Sequence, residues 1–137
     1  MIFIKAISEH DQTMLEVVEY EYDMLLLSAE KITNNITIIE TNLFIESFLL
    51  HARNLICFLE AIGQKDDIMI TDFENVKGES IIPIYLKLDK NIKKVINKHC
   101  QHLSKERLKR KFTWDINGIK KEILAGMTQF YSNLSKS

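Results

Sequence analysis

Residues 36–62, ITIIETNLFIESFLLHARNLICFLEAI, decide the fold of this chain. Drawn as a helix, this stretch is apolar on nearly every side. Because a helix of that kind is buried, we expect it at the centre of a bundle or across a subunit interface. Asn34 or Asn35 is the expected cap at its start, and Gly63 is the expected end.

Three further segments repeat apolar residues at spacings of three and four, which is the period of one helix face. The first spans about Glu9–Lys31 and carries many acidic residues. The next begins near Pro83, which suits the first turn of a helix, and runs to about Arg107. The last spans Ile116–Leu134, with Asp115 as its cap.

Residues 64–82 have no helical period, although residues 66–73 have room for one helical turn. A connection of this length is either a surface crossover or a functional loop. The pattern as a whole predicts an all-α, four-helix up-down bundle with one long crossover loop. Its 137 residues suit a single domain over residues 1–137.

The composition is that of an ordinary globular protein, with 46% hydrophobic and 27% charged residues. One proline and four glycines argue against an all-β chain with many tight turns.

No apolar run reaches the roughly 18 residues that cross a bilayer, so no membrane partner is expected. The N-terminal sequence MIFIKAISEHDQ lacks the parts of a secretory signal. We therefore expect a cytoplasmic protein.

Charge is balanced overall and uneven along the chain, with a formal net charge of −1. Residues 1–82 carry 5 basic and 15 acidic residues, a net −10, whereas residues 83–137 carry 13 basic and 4 acidic residues, a net +9. Either the acidic and basic helices complement each other, or the basic half binds nucleic acid. The best candidates for phosphate contacts are the clustered cations Lys105, Lys109, Arg110 and Lys111.

The sequence predicts no metal site and no cofactor. Cys57 and Cys100 lie far apart and form no Cys-x-x-Cys pair, so we expect two buried thiols. His99 and His102 are three residues apart on one helix. However, the chain has none of the paired Glu-x-x-His motifs of a di-iron bundle.

Polar residues within the apolar helices are the informative ones. Asn42, Glu46 and Arg53 lie within about 40° of one direction at 100° per residue, and His102 points inward from the third helix. One interpretation is a structural network that fixes helix register. The other is a polar cleft in which His102 acts as acid and base and an arginine holds a phosphate. The candidate network residues are Asn42, Glu46, His51, His99 and Glu106.

Three blocks resemble an uncharacterised group of bacterial helical proteins. They are ESFLLHARNL at residues 46–55, DDIMITDF at residues 66–73 and INKHCQHLSKER at residues 96–107, the last of which is followed by Trp114. Together these blocks cover roughly a quarter of the chain. The resemblance implies a related helical fold and carries no function.

The layout also resembles the HEPN superfamily of helical bundles, many of which are dimeric, metal-independent endoribonucleases. Their signature is an arginine followed after four to six residues by a histidine, on a helix at the dimer interface. Here His102 stands where that histidine would be, and Asn97 stands at the arginine position. Nowhere in the chain does a histidine follow an arginine at that spacing.

The resemblance implies two alternative functions, one catalytic and one non-catalytic. Whether the chain is an enzyme therefore stays open. The favoured one is a non-catalytic HEPN-like interaction module, a homodimer that binds a protein partner. The other is an RNA-binding protein or ribonuclease. Its candidate catalytic residues are His102, Arg53, Asn97 and Arg107.

Overall fold

The computed structural model describes residues 9–32, 36–101 and 114–135 of the chain. These residues form an all-α, four-helix bundle, which confirms the predicted fold class. The helices are α1 (Glu9–Lys31), α2 (Ile38–Glu60), α3 (Lys90–Gln101) and α4 (Ile116–Leu134).

Helix α2 lies at the centre of the bundle and contacts α1, α3 and α4. It runs antiparallel to α1: Ser28 of α1 shares a 2.8 Å hydroxyl hydrogen bond with Ser47, and Glu21 of α1 pairs with His51 further along α2. Helix α4 packs against α1 and α2. The apolar sequence of α2 is therefore explained in part by its contacts on several sides.

Helices α1 and α4 have the bounds that their sequence patterns predict. At the start of α4, the Asp115 carboxylate accepts a 3.0 Å hydrogen bond from the Gly118 backbone N–H. This bond satisfies one of the N–H groups that the first turn of a helix leaves without a partner. The predicted cap at Asp115 is thus confirmed.

The ends of α2 differ from the prediction. Thr37 is the N-cap, because its hydroxyl accepts from the Glu40 backbone N–H while the Glu40 carboxylate accepts from the Thr37 N–H. This capping box fixes the start of the helix, so the predicted caps at Asn34 and Asn35 are wrong. The helix ends at Glu60 rather than at Gly63, and its C-cap Ala61 takes the left-handed conformation with φ of 57°.

Helix α3 begins at Lys90, so the prediction that Pro83 occupies its first turn is wrong. Residues 81–89 are not helical. Ile84 and Leu86 are buried, and Tyr85 between them is 74% exposed. Such alternate burial is typical of an extended chain, whose successive side chains point to opposite sides. The predicted end of this helix near Arg107 lies outside the described residues.

The connecting segment (residues 61–89) carries part of the core. It contains a single 3₁₀ turn at Ile70–Asp72, which lies within the predicted helical turn. The Ile84 backbone N–H donates a 2.8 Å hydrogen bond to the Leu59 carbonyl, which ties the segment to the end of α2. Its buried residues are Ile70, Phe73, Ile81, Ile84 and Leu86.

Three buried phenylalanines join α2, the connecting segment and α4. The rings of Phe58, Phe73 and Phe130 meet edge to face, with centroids 5.1 to 5.8 Å apart. This is the arrangement that aromatic quadrupoles favour. The cluster therefore holds the connecting segment against the two helices.

Candidate functional site

Three polar residues on one stripe of α2 each bond to α3. Glu46, Arg53 and Glu60 are seven residues apart, which places them on the same side of the helix. Their α3 partners run in the opposite order, as expected for antiparallel helices: His99, Asn97 and Lys93. We call these six residues the α2–α3 polar edge.

Arg53 and Asn97, two of the candidate catalytic residues, are brought together in the polar edge. The Arg53 Nε–H donates a 3.0 Å hydrogen bond to the Asn97 side-chain oxygen. Asn97 is exposed and Arg53 is half-buried. The two terminal amino groups of Arg53 have no hydrogen-bond partner among the described residues. A guanidinium in this state is able to bind an anion.

Glu46 and His99 of the candidate network are also neighbours. The His99 Nε2 lies 2.9 Å from the Glu46 Oε1. The His99 ring meets the Trp114 ring edge-on, with centroids 5.6 Å apart. The glutamate side chain is 53% exposed, so this contact lies at the surface of the bundle. Asn42, on the same stripe of α2, is exposed.

Glu60 is the buried member of the polar edge, and its charge has two partners. One of its carboxylate oxygens accepts from the Leu86 backbone N–H at 2.9 Å and from the Lys93 ammonium at 2.6 Å. A buried carboxylate needs such partners, because an unpaired buried charge is costly. Glu60 therefore has a structural role. It joins α2 to the connecting segment and to α3.

His51 does not belong to the polar edge, although the sequence pattern placed it in one network with Glu46 and His99. It lies on the opposite side of α2, where its Nδ1 pairs with the Glu21 carboxylate of α1. The Tyr20 ring meets the imidazole edge-on, with centroids 6.1 Å apart. His51 is buried, so these contacts hold α1 against α2.

The remaining candidates lie outside the described residues. They are His102, Arg107, Glu106, Lys105, Lys109, Arg110 and Lys111.

The two cysteines are free thiols, and both are half-buried. Burial raises the pKa of the Cys57 thiol, although the nearby Arg53 guanidinium acts in the opposite direction. A thiol with a raised pKa is a weak nucleophile near neutral pH. Among the described residues, no three His, Cys, Asp or Glu side chains cluster as metal ligands.

Two acidic groups that the structure buries wholly or in part were not predicted from the sequence. Glu21 is the partner of His51, and its only sequence signal is its place at the margin of the apolar stripe of α1. Glu19 is buried, and burial together with the nearby Asp23 raises the pKa of its carboxyl. Burial, followed by the charge of Glu19, also raises the pKa of Tyr131.

A second feature of the surface is apolar. Six large side chains on α1 and α2 are between 43% and 74% exposed, although each belongs to a helix with a well-formed buried side. The Tyr20 ring lies against His51, which directly follows Leu50, so the exposed stripes of α1 and α2 are adjacent. We call this surface the outer face. It consists of Val17, Tyr20, Leu27, Ile39, Leu43 and Leu50.

Helix α2 is also the one described helix that is long and apolar enough to cross a membrane by length and composition. Of its most apolar stretch, 44% is buried within the protein. The core helix of a bundle has the same composition, because it too is surrounded by apolar groups.

The fold and the two surfaces define an all-α bundle with a polar edge and an exposed apolar face. Comparison with protein-family models, with curated proteins and with solved structures finds no match to this chain.

Proposed function

We propose that this protein is a non-catalytic, HEPN-like helical interaction module that acts as a homodimer through its outer face. The observation that carries the proposal is the exposure of six large apolar side chains on one side of the α1–α2 pair. Contiguous exposed apolar surface of this kind marks interaction sites in soluble proteins. Burying it against a second copy removes it from water.

The proposal of a non-catalytic role rests on the polar residues. The polar side chains of the α2–α3 edge pair with each other across the two helices, as the members of a structural network do. In addition, no histidine follows an arginine at the spacing that HEPN ribonucleases use. Both observations favour binding over catalysis.

A matched pair of leucines tests the proposed interface. Leu50 lies on the outer face and is 43% exposed, whereas Leu124 lies on α4 and is 42% exposed. The two leucines therefore have almost the same solvent exposure at different places on the bundle. Leu50→Glu is expected to weaken dimerisation by at least about tenfold, because it buries an unpaired charge at the interface. Leu124→Glu is expected to leave dimerisation unchanged. The measurement is the molar mass by light scattering over a dilution series.

Equal effects of the two substitutions would contradict the outer face as the interface. A wild-type protein that stays monomeric throughout the series would contradict the homodimer itself.

RNA binding or cleavage is the second candidate, and the contact between Arg53 and Asn97 favours it. Their guanidinium and amide donors lie side by side on α2 and α3, where they are able to hold a phosphate. In this alternative the basic residues 105–111 hold the RNA backbone and His102 is the acid and base.

A fluorescent RNA tests this alternative at two salt concentrations. It requires binding that weakens with salt and cleavage that is lost in His102→Ala. Lys121→Ala, which removes one exposed cation of α4, is the control and keeps both activities. The absence of binding at low salt would exclude the alternative.

A further inference from the structure

We propose that the homodimer has its two-fold axis along α2, so that the acidic α1 of each copy lies over the basic α3 of the other. This inference rests on the proposed function, since it specifies how two outer faces meet. Charged residues border the outer face on both sides, and their signs differ.

The acidic border lies on α1. Glu16, Asp23 and Glu30 are seven residues apart and exposed, and they form a stripe about 70° round the helix from the apolar stripe at 100° per residue. Ser28 and Glu21, which contact α2, lie on the other side of that apolar stripe. The acidic stripe therefore borders the outer face on the side away from α2.

The basic border lies on α3. Lys90 and Lys94 are exposed and lie on the opposite side of α3 from the buried Ile96. Because the polar edge joins α3 to α2 on the flank opposite α1, the three helices cross this side of the molecule in the order acidic, apolar, basic. None of the five border residues has an ion-pair partner among the described residues.

A symmetric dimer closes about a two-fold axis, and for two outer faces that axis runs either along α2 or across it. An axis along α2 sets α1 of one copy over α3 of the other, so the acidic border of each copy faces the basic border of its partner. An axis across α2 sets α1 over α1 and α3 over α3, so like charges meet. Electrostatic complementarity favours the first arrangement, and it also favours a second copy over an unrelated partner.

Three variants of the 137-residue chain test the arrangement. The acid-reversed variant is Glu16→Lys with Asp23→Lys, and the base-reversed variant is Lys90→Glu with Lys94→Glu. The exchange variant carries all four substitutions. Its formal net charge stays at the wild-type value of −1, because the two reversals change the charge by equal and opposite amounts. The exchange variant therefore shows whether dimerisation depends on which charged border faces which, or only on the net charge of the chain.

Each single reversal is expected to raise the dimer dissociation constant by about tenfold or more at low salt, because like charges then face each other. The exchange variant is expected to return close to the wild-type value. At about 1 M salt the differences should largely vanish, since the Debye length is then about 3 Å. If the reversals merely damaged folding, the exchange variant would be the weakest of the three.

The failures of this inference and of the proposed function are distinguishable. A wild-type dimer that Leu50→Glu disrupts and that single reversals leave unchanged would overturn the axis along α2 and keep the interface. A wild-type monomer would overturn both.

Discussion

Phe130→Ala is expected to lower the free energy of unfolding by about 4 kcal/mol, because removing a buried phenylalanine leaves a cavity in a close-packed core. Phe130 has no exposed surface, and its ring meets those of Phe58 and Phe73 at centroid distances of 5.1 and 5.2 Å. The substitution thus loosens α4 from both α2 and the connecting segment. Urea denaturation followed by far-ultraviolet circular dichroism measures the loss at one fixed protein concentration.

Gln129→Ala is the matched control, since Gln129 is the exposed neighbour on the same helix. It is expected to change stability by less than about 0.5 kcal/mol. In a double-mutant cycle, Phe73→Ala and Phe130→Ala should couple by about 1 kcal/mol, because the two rings are in contact. A loss below about 1 kcal/mol for Phe130→Ala alone would contradict the packing of the aromatic cluster.

Glu60→Ala is expected to lower the free energy of unfolding by about 3 kcal/mol. The substitution removes the acceptor of the buried Leu86 backbone N–H and the counter-charge of Lys93 together. Glu60→Gln should cost less, because its amide oxygen still accepts from Leu86. Thermal and urea unfolding of the full chain measure both variants.

Glu46→Ala is the control for Glu60→Ala, because Glu46 lies on the same stripe of α2 and also bonds to α3. Its side chain is 53% exposed, whereas that of Glu60 is 3% exposed. Surface ion pairs contribute little, so we expect a loss below about 1 kcal/mol. Similar losses for the two variants would show that burial does not distinguish the two carboxylates.

The fold was predictable from the sequence where one helix face is regular and its caps are local. Helices α1 and α4 follow from their apolar periods, and Asp115 caps α4 as expected. The start of α2 was missed because Asn34, Asn35 and Thr37 all suit an N-cap, and the decision came from Glu40 three residues after Thr37. That capping box was visible in the sequence.

The start of α3 was not predictable from the proline rule alone. Pro83 suits the first turn of a helix, yet the hydrogen bonds of Ile84 and Leu86 to the end of α2 hold this stretch as a non-helical connection. Such bonds depend on the tertiary structure. The sequence signal in their favour was the alternation of apolar residues with polar or aromatic ones over residues 84–88.

The sequence predicted which polar residues share a side of α2, but it did not predict which residues of α3 they contact. The helical period placed Glu46 and Arg53 on one stripe, but the pairing of Arg53 with Asn97 depends on how α3 is positioned against α2. The grouping of His51 with Glu46 was an avoidable error. Five residues correspond to about 140° round a helix, so the two side chains leave different sides of α2. Glu60 gave no signal of its burial, because its partners come from distant parts of the chain.

The mass of the 137-residue chain in solution tests the proposed interaction module most directly. Sedimentation equilibrium over a concentration series is expected to give twice the 16.0 kDa mass of the chain, and to give the mass of one chain for Leu50→Glu over the same series. A wild-type mass of 16.0 kDa at every concentration would contradict the account.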